Sequence, residues 1–369
     1  MTHCKKCLLT DHEDPNLFLN SEGICNYCVE YDTLNSTLDA CKNNQNNLSE
    51  LINKIKKASS GKKYDCIVGV SGGVDSSYTL LKTVDLGLNP LVVHYDNGWN
   101  SEFAVNNIRK LICRLDLDLY TYVSDWDEFR EIQRSFLKAS VMDIELISDL
   151  GILGSLYEIA KKHKIKYIIT GHNDRTESHL PSHWYHWKID WLNLRSIHKA
   201  FSKRKIKTLP HLNFLQLLLL KKLNKVEFVP LLNYLDYNKT LAQEELNERI
   251  DWTNYKGKHY ESIFTRFYQG YILPVKFGID KKKSHYSSLI CAGIITREQA
   301  LLMVENHHYT PSKMAADKEY VIKKLGFTEA EFEEIMNLPV RSHFEFASYI
   351  TRHYKIISFF TSLYKRKKG

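Results

Sequence analysis

The sequence predicts a doubly wound α/β domain built on a parallel sheet, and three observations carry that prediction. The apolar run Tyr64-Asp-Cys-Ile-Val-Gly-Val70 opens directly onto Ser71-Gly-Gly-Val-Asp-Ser-Ser77, after which Val74, Tyr78, Leu81 and Val84 recur at helical spacing. A strand, a glycine turn and a helix in immediate succession is how a parallel sheet begins. Further strand candidates at Leu91 to Asp96, Leu119 to Val123 and Tyr167 to Thr170 alternate with helical patterns at Phe103 to Leu115, Glu128 to Leu137 and Leu153 to Lys162. Such alternation packs helices on both sheet faces and leaves the carboxyl ends of the strands for ligands. Finally, 369 residues with 43% apolar and 25% charged side chains fit a globular core with appended modules and exclude a disordered or fibrous chain.

The first module is written in cysteine. Cys4-x-x-Cys7 and Cys25-x-x-Cys28 are separated by 17 residues, with Gly23 ahead of the second pair. Two tight turns that each present two thiolates make a zinc ribbon, so Cys4, Cys7, Cys25 and Cys28 are the zinc ligands expected here. From Tyr31 to Lys57 the chain is polar and Asn-rich, with Leu48, Leu51, Ile52 and Ile55 on one helical face. The expected order is a ribbon at 1–35, a linker helix at 36–62, the α/β core at 63–180 and a mainly helical region at 181–369 that completes the site. No secretory signal pattern is present, and the aliphatic stretch Leu215 to Leu220 is far too short to span a bilayer. A cytoplasmic protein without a membrane span is expected. The net charge of +8 suits anionic ligands without requiring nucleic acid.

The chemistry resides in Ser71 to Ser77. Gly72 and Gly73 let backbone approach a phosphate, the following helix offers unpaired N–H groups and a positive dipole end, and Ser71, Ser76 and Ser77 add hydroxyls. Asp75 is the natural carboxylate for a magnesium ion shared with phosphate oxygens. Neither Gly-x-x-x-x-Gly-Lys-[Ser/Thr] nor Gly-x-Gly-x-x-Gly occurs, which excludes a P-loop γ-phosphate hydrolase and a dinucleotide dehydrogenase. The motif instead resembles the PP-loop of the ATP pyrophosphatase superfamily, an adenine nucleotide alpha hydrolase-like fold. Its members cleave ATP between the α- and β-phosphates and adenylate a carbonyl oxygen. By that resemblance ATP contacts Val70, Ser71, Gly72, Gly73, Val74, Asp75, Ser76 and Ser77. His94, Tyr95 and Asp96 at the end of the second strand and Gly171, His172 and Asn173 at the end of a later one complete the nucleotide site, with Asp75 and Ser76 catalytic. Glu177 is the second magnesium candidate, or otherwise an ordinary loop carboxylate; His94 is equally read as a strand-end histidine.

The order of the ribbon, the SGGVDSS loop, the block Gly257-Lys-His-Tyr-Glu-Ser-Ile-Phe-Thr-Arg-Phe267 and the segment Lys276-Phe-Gly-Ile-Asp-Lys-Lys-Lys-Ser-His285 resembles the N-acetyl sugar amidotransferase family over nearly the whole chain. The resemblance implies synthesis of bacterial surface polysaccharide such as O-antigen. ATP would adenylate the acetamido carbonyl of a nucleotide-linked N-acetyl sugar, and ammonia would displace AMP to give an acetamidino group. Lys281 and Lys282 are then expected to stabilise pyrophosphate, and Lys258, His259, Glu261, Arg266, Lys276 and Asp280 to hold the substrate, Arg266 as an anion clamp; a solvated basic face is the other reading of this block. Trp184, Trp187 and Trp191 line a sugar pocket or pack a core. Cys66, Cys113 and Cys291 lack the glycine elbow of a glutaminase nucleophile. The family implies a separate glutaminase with a cyclase-like subunit that passes ammonia along. The competing reading is a PP-loop tRNA-modifying enzyme, such as a thiolase, which would bind RNA with steep salt dependence.

Overall fold

The computed structural model describes residues 3–12, 14–43, 45–223, 226–254, 260–305 and 309–352. Five strands, β1 (Cys66–Gly69), β2 (Pro90–Asp96), β3 (Leu119–Val123), β4 (Tyr167–Thr170) and β5 (Glu227–Pro230), form one wholly parallel sheet in the order β3-β2-β1-β4-β5. The ribbon residues make two short bridges, His3 to Thr10 and Leu19 to Cys25. They run straight into α1 (Asn26–Asn43) and α2 (Gln45–Ser59), so the connecting segment is two helices, and the first begins inside the stretch expected to be ribbon. Helices α3 (Val74–Asp85), α4 (Glu102–Leu115), α5 (Trp126–Ala139) and α6 (Leu146–Lys162) connect the first four strands.

Each inner strand divides its side chains between two cores, as period-two geometry requires. Cys66, Val68, Val92 and Ile169 pack with Leu80, Leu81, Ile108 and Leu111 of α3 and α4 on one face, while Ile67, Val93 and Ile168 pack with Leu156 and Ile159 of α6 on the other. Edge strand β3 leaves Leu119 and Val123 exposed. The sequence did not predict the other edge, β5, whose four residues include a glutamate and a proline.

After β4 come α7 (Asp174–Glu177), α8 (Trp191–Phe201) and α9 (Phe214–Leu223); after β5 comes α10 (Lys239–Ile250). The remainder is helical, as expected: α11 (Ile263–Phe267), a π-helical turn at Tyr268–Ile272, α12 (Leu273–Phe277), α13 (Lys281–Cys291), α14 (Arg297–Glu305), α15 (Pro311–Leu325), α16 (Glu329–Asn337) and α17 (Tyr349–Arg352). One apolar cluster joins the ribbon thiols to Phe129 of α5, Leu194 of α8, Phe267 of α11, Val321 of α15 and Phe332 of α16. Among the described residues no helix is long and apolar enough to cross a membrane.

Candidate active site

The strand order reverses between β1 and β4, and a ligand crevice forms at such a switch point. The two loops at that point are Ser71 to Ser77 after β1 and Gly171 to Glu177 after β4, both singled out in the sequence. Gly73 is the N-cap of α3 in extended geometry, and no side chain caps the helix there. Gly72 has φ +80°, and a Cβ on it would stand 2.4 Å from the Ala104 carbonyl oxygen. Asn107 of α4 holds the same turn through Nδ2 to the Gly72 oxygen at 3.3 Å. Gly171 has no room for a side chain either, since its Cβ would lie 2.9 Å from the Asp75 and Ser76 backbone. The loops therefore touch through glycine, and an anion bound above them would meet main chain from both sides.

Serine chemistry shapes the loop. The Ser76 hydroxyl accepts from the Ser71 amide at 3.2 Å and donates to the Gly73 oxygen at 3.2 Å, while the Ser71 hydroxyl accepts from the Gly73 amide at 3.3 Å. Ser77 is fully buried, and its hydroxyl has no hydrogen-bond partner among the described residues. Asp75 accepts a hydrogen bond from the Tyr237 hydroxyl. Burial, then the charge and hydrogen bond of Asp75, then Glu177, push the Tyr237 phenol far above its usual range. One hydroxyl thus senses both carboxylates read as magnesium ligands, and this oxygen-only pair suits a hard cation. Tyr237 lies outside every motif in the sequence, and its role appears only in the fold.

The other strand ends are equally ordered. His94 is buried, with Nδ1 donating to the Val70 oxygen at 2.9 Å and Nε2 accepting from Asn100 Nδ2 at 3.0 Å. Asn100 also donates to Asp96 Oδ1 at 2.9 Å. Tyr95 turns to the opposite sheet face, where its hydroxyl accepts from Ser124 at 2.7 Å and where a Cβ on Gly151 would collide with it. His172 is bracketed by Asp174 at 2.9 Å and Glu177 at 3.2 Å, and the two carboxylates raise its pKa to about 10. Asn173 caps α7, and Asp174 is held by Asn233 at 3.0 and 2.6 Å.

The basic segment divides sharply. Lys258 and His259 lie outside the described residues. Arg266 is not an anion clamp: its guanidinium is buried in a bidentate pair with Asp317 at 2.7 and 2.8 Å, joining α11 to α15. Lys276 is likewise committed, donating to the carbonyls of Ile335, Met336 and Leu338 at 2.7 to 3.1 Å and capping the end of α16. Asp280 is the N-cap of α13, and Lys282 reaches the Val304 oxygen at 3.0 Å. Glu261 pairs through its backbone, its oxygen accepting from Ser101 N at 2.8 Å beside the end of β2.

Lys281 differs from its neighbours. It is partly buried, with no hydrogen-bond or ion-pair partner among the described residues, and burial pulls its pKa down while Glu145, Asp143 and Asp149 pull it up. Beside it Lys188 saturates its charge on Asp143 at 2.8 and 2.9 Å and Asp149 at 2.8 Å. This group stands at the first turn of α6, where Asn97 donates to Ser148 at 3.1 Å and so ties it to the carboxyl end of β2. Nearby, a cavity of about 950 Å³ is lined by Trp187, Tyr185, His183, His186, Arg341 and His343 among others. Trp184 and Trp191 are instead core residues.

Comparison with known proteins bears on this second half of the site. Residues 261–361 match the family "LPS biosynthesis protein WbpG-like, C-terminal domain". No curated protein matches the chain. Solved structures that align with it include an NMN synthetase from Francisella tularensis (16% identity, 60% of this chain and 91% of the other, TM-score 0.29). An NH3-dependent NAD synthetase from Campylobacter jejuni aligns at 17% identity over 55% and 91%, TM-score 0.28. A protein described as a predicted subunit of tRNA methyltransferase from Methanocaldococcus jannaschii aligns at 14% over 48% and 76%, TM-score 0.29. The matched domain carries Arg266, Lys276, Asp280, Lys281 and Lys282, all of them in the segment on which the family resemblance rests.

Proposed function

We propose that the protein is an ATP-dependent amidotransferase that converts the acetamido group of a nucleotide-linked N-acetyl sugar into an acetamidino group for lipopolysaccharide or a related surface glycan. One observation carries the reading: an SGGVDSS loop at the switch point of a parallel sheet shares its ligand edge with a domain matching the LPS-biosynthesis WbpG-like family, and that domain delivers a lysine with no ion-pair partner among the described residues.

The chemistry follows from an amide being a poor electrophile toward ammonia. Attack of the carbonyl oxygen on the α-phosphorus of ATP expels pyrophosphate and leaves an imidate bearing AMP. Ammonia adds to its carbon, a proton is lost, and AMP departs with the former carbonyl oxygen. Ser71, Gly72, Gly73 and the first turn of α3 would receive the phosphates. Asp75 and Glu177 would hold magnesium, which neutralises phosphate charge when bound, and Tyr237 would orient Asp75. Lys281, desolvated and without an ion-pair partner among the described residues, would gain a counter-charge when an anionic diphosphate arrives. Cys66 is buried in β1 with its thiol pushed up by burial, unlike an activated nucleophile. Ammonia would come from a separate glutaminase with a channelling subunit, in the cytoplasm where nucleotide sugars are made.

The test incubates the protein with ATP, magnesium and ammonium chloride across a panel of acetamido sugar nucleotides and follows AMP, pyrophosphate and product mass. Stoichiometric AMP with the mass change of an O-to-NH exchange is expected. ATP cleavage stimulated only by tRNA would overturn the reading.

A further inference from the structure

A second cluster of metal-ligand type adjoins the ribbon. Cys28 Sγ, Cys291 Sγ and His179 Nε2 form a triangle with sides of 3.5, 3.6 and 3.4 Å. Within the ribbon, the Cys4 to Cys28 and Cys7 to Cys25 sulfurs are 3.9 and 3.7 Å apart. Zinc bonds of about 2.3 Å to sulfur and about 2.0 Å to nitrogen, in a tetrahedron, place two sulfurs about 3.8 Å apart and sulfur and nitrogen about 3.6 Å apart. The triangle is built to that scale.

The surroundings aim all three atoms at one point. Ser284, Ser288 and Cys291 occupy one face of α13 at i, i+4 and i+7. The Ser288 hydroxyl accepts from the His179 amide at 3.1 Å, and the Ser284 hydroxyl donates to the His179 oxygen. The helix that carries Cys291 therefore also fixes the backbone of His179. Ser287 of the same helix accepts from the Leu8 amide at 3.1 Å, which docks the ribbon. His179 Nδ1 turns the other way, 3.4 Å from the Ser178 hydroxyl, so Nε2 is left for the thiols. Cys28 and His179 are buried and Cys291 is only partly so, which leaves a way in for an ion.

We propose that Cys28, His179 and Cys291 bind a second zinc ion, with the Cys28 thiolate bridging it to the ion held by Cys4, Cys7 and Cys25; the inference rests on the four-thiolate reading of the ribbon. Charge favours the pair. Four thiolates on one zinc carry a net −2 with a fifth sulfur against them, whereas five thiolates on two zincs carry −1. The fourth position of the second ion is left to water. This centre ties three parts together: the ribbon, the loop two residues beyond Glu177, and the helix that begins at Lys281.

Elemental analysis of the full-length protein, purified without chelator, decides the matter. Two zinc equivalents per chain are expected, falling to one in Cys291→Ser. A wild-type value of one, unchanged in Cys291→Ser and lost in Cys25→Ser, would overturn the second site while sparing the ribbon; no zinc at all would overturn both. Should Cys291→Ser fail to fold, alkylation of the wild type still decides: Cys291 is expected to resist iodoacetamide until zinc is extracted, and its labelling at full zinc content refutes the site.

Discussion

Lys281 and Lys188 sit among the same carboxylates, and replacing each with methionine tests the proposal that Lys281 serves a ligand while Lys188 serves the fold. Lys188 makes three contacts of 2.8 to 2.9 Å with Asp143 and Asp149, and Asp143 is buried. Removing it strands a buried carboxylate, at a cost of about 3–5 kcal/mol. Lys281 has no such partner among the described residues, and burial depresses its pKa, so Lys281→Met relieves a desolvation cost and is expected to stabilise by about 0.5–2 kcal/mol. An unfolding entropy of about 2.1 cal/mol/K per residue gives roughly 0.8 kcal/mol/K for this chain. The midpoint should then rise by about 0.6–2.5 °C in Lys281→Met and fall by about 4–6 °C in Lys188→Met. Pyrophosphate release should move oppositely to stability in Lys281→Met, with kcat/KM falling about 10–100-fold for one lost charge-assisted hydrogen bond. Differential scanning calorimetry and a pyrophosphate assay read both quantities. A Lys281→Met protein that melts as early as Lys188→Met and releases pyrophosphate at the normal rate would refute the assignment.

Gly72→Ala adds a methyl 2.4 Å from the Ala104 oxygen at φ +80°, which costs about 2–4 kcal/mol and should abolish ATP binding in calorimetry; retained affinity would remove the loop from the nucleotide site. Tyr237→Phe deletes the donor to Asp75, and the magnesium concentration for half-maximal pyrophosphate release should shift several-fold, so an unmoved titration would detach Tyr237 from the metal. His172 is raised to about 10 by Asp174 and Glu177, so its folded form holds a proton that the unfolded chain releases near 6.5. The stability this contributes is complete below pH 6.5 and is lost as pH rises toward 10, giving the wild type a falling melting curve that His172→Gln flattens; parallel curves would contradict the bracket.

The sheet was legible because its inner strands begin as apolar runs with glycine within two residues of their ends, and the candidate ligand loops because glycine and serine at a strand end have few other uses. β5 was not, since Glu227-Phe-Val-Pro230 lies on the edge and needs only one buried face. The site was legible where chemistry is local. Arg266 and Lys276 illustrate the failure: a basic residue in an aromatic block reads as a ligand clamp until its partner appears 51 residues later at Asp317, or 59 and more residues later at the carbonyls ending α16. Tyr237 and Asn233 were hidden for the same reason, each reaching its carboxylate from a segment with no motif of its own. Cys291 and His179 are single residues in sequence and become a cluster only when α13 lies against the loop after β4.

Docking of the C-terminal helices also bears on the hardest requirement of the proposed reaction, that ammonia rather than water meet the activated carbon. Ile263 N donates to the Trp99 oxygen at 2.9 Å and Ser101 N to the Glu261 oxygen at 2.8 Å, which seats this domain on the loop leaving β2. Its α13 packs against α7, so the same domain also meets the short helix after β4. In the proposed reaction, water reaching the imidate would regenerate the acetamido sugar and waste ATP, so ammonia must reach the activated carbon first. The path of one oxygen distinguishes adenylation of the sugar from simple ATP hydrolysis. With substrate carrying heavy oxygen in its acetamido carbonyl, AMP should acquire the label in step with amidine formation, and without ammonia AMP release should slow sharply. Unlabelled AMP formed at the full rate would mean that water, not the carbonyl, attacks ATP, and the role assigned to the shared edge would fall with it.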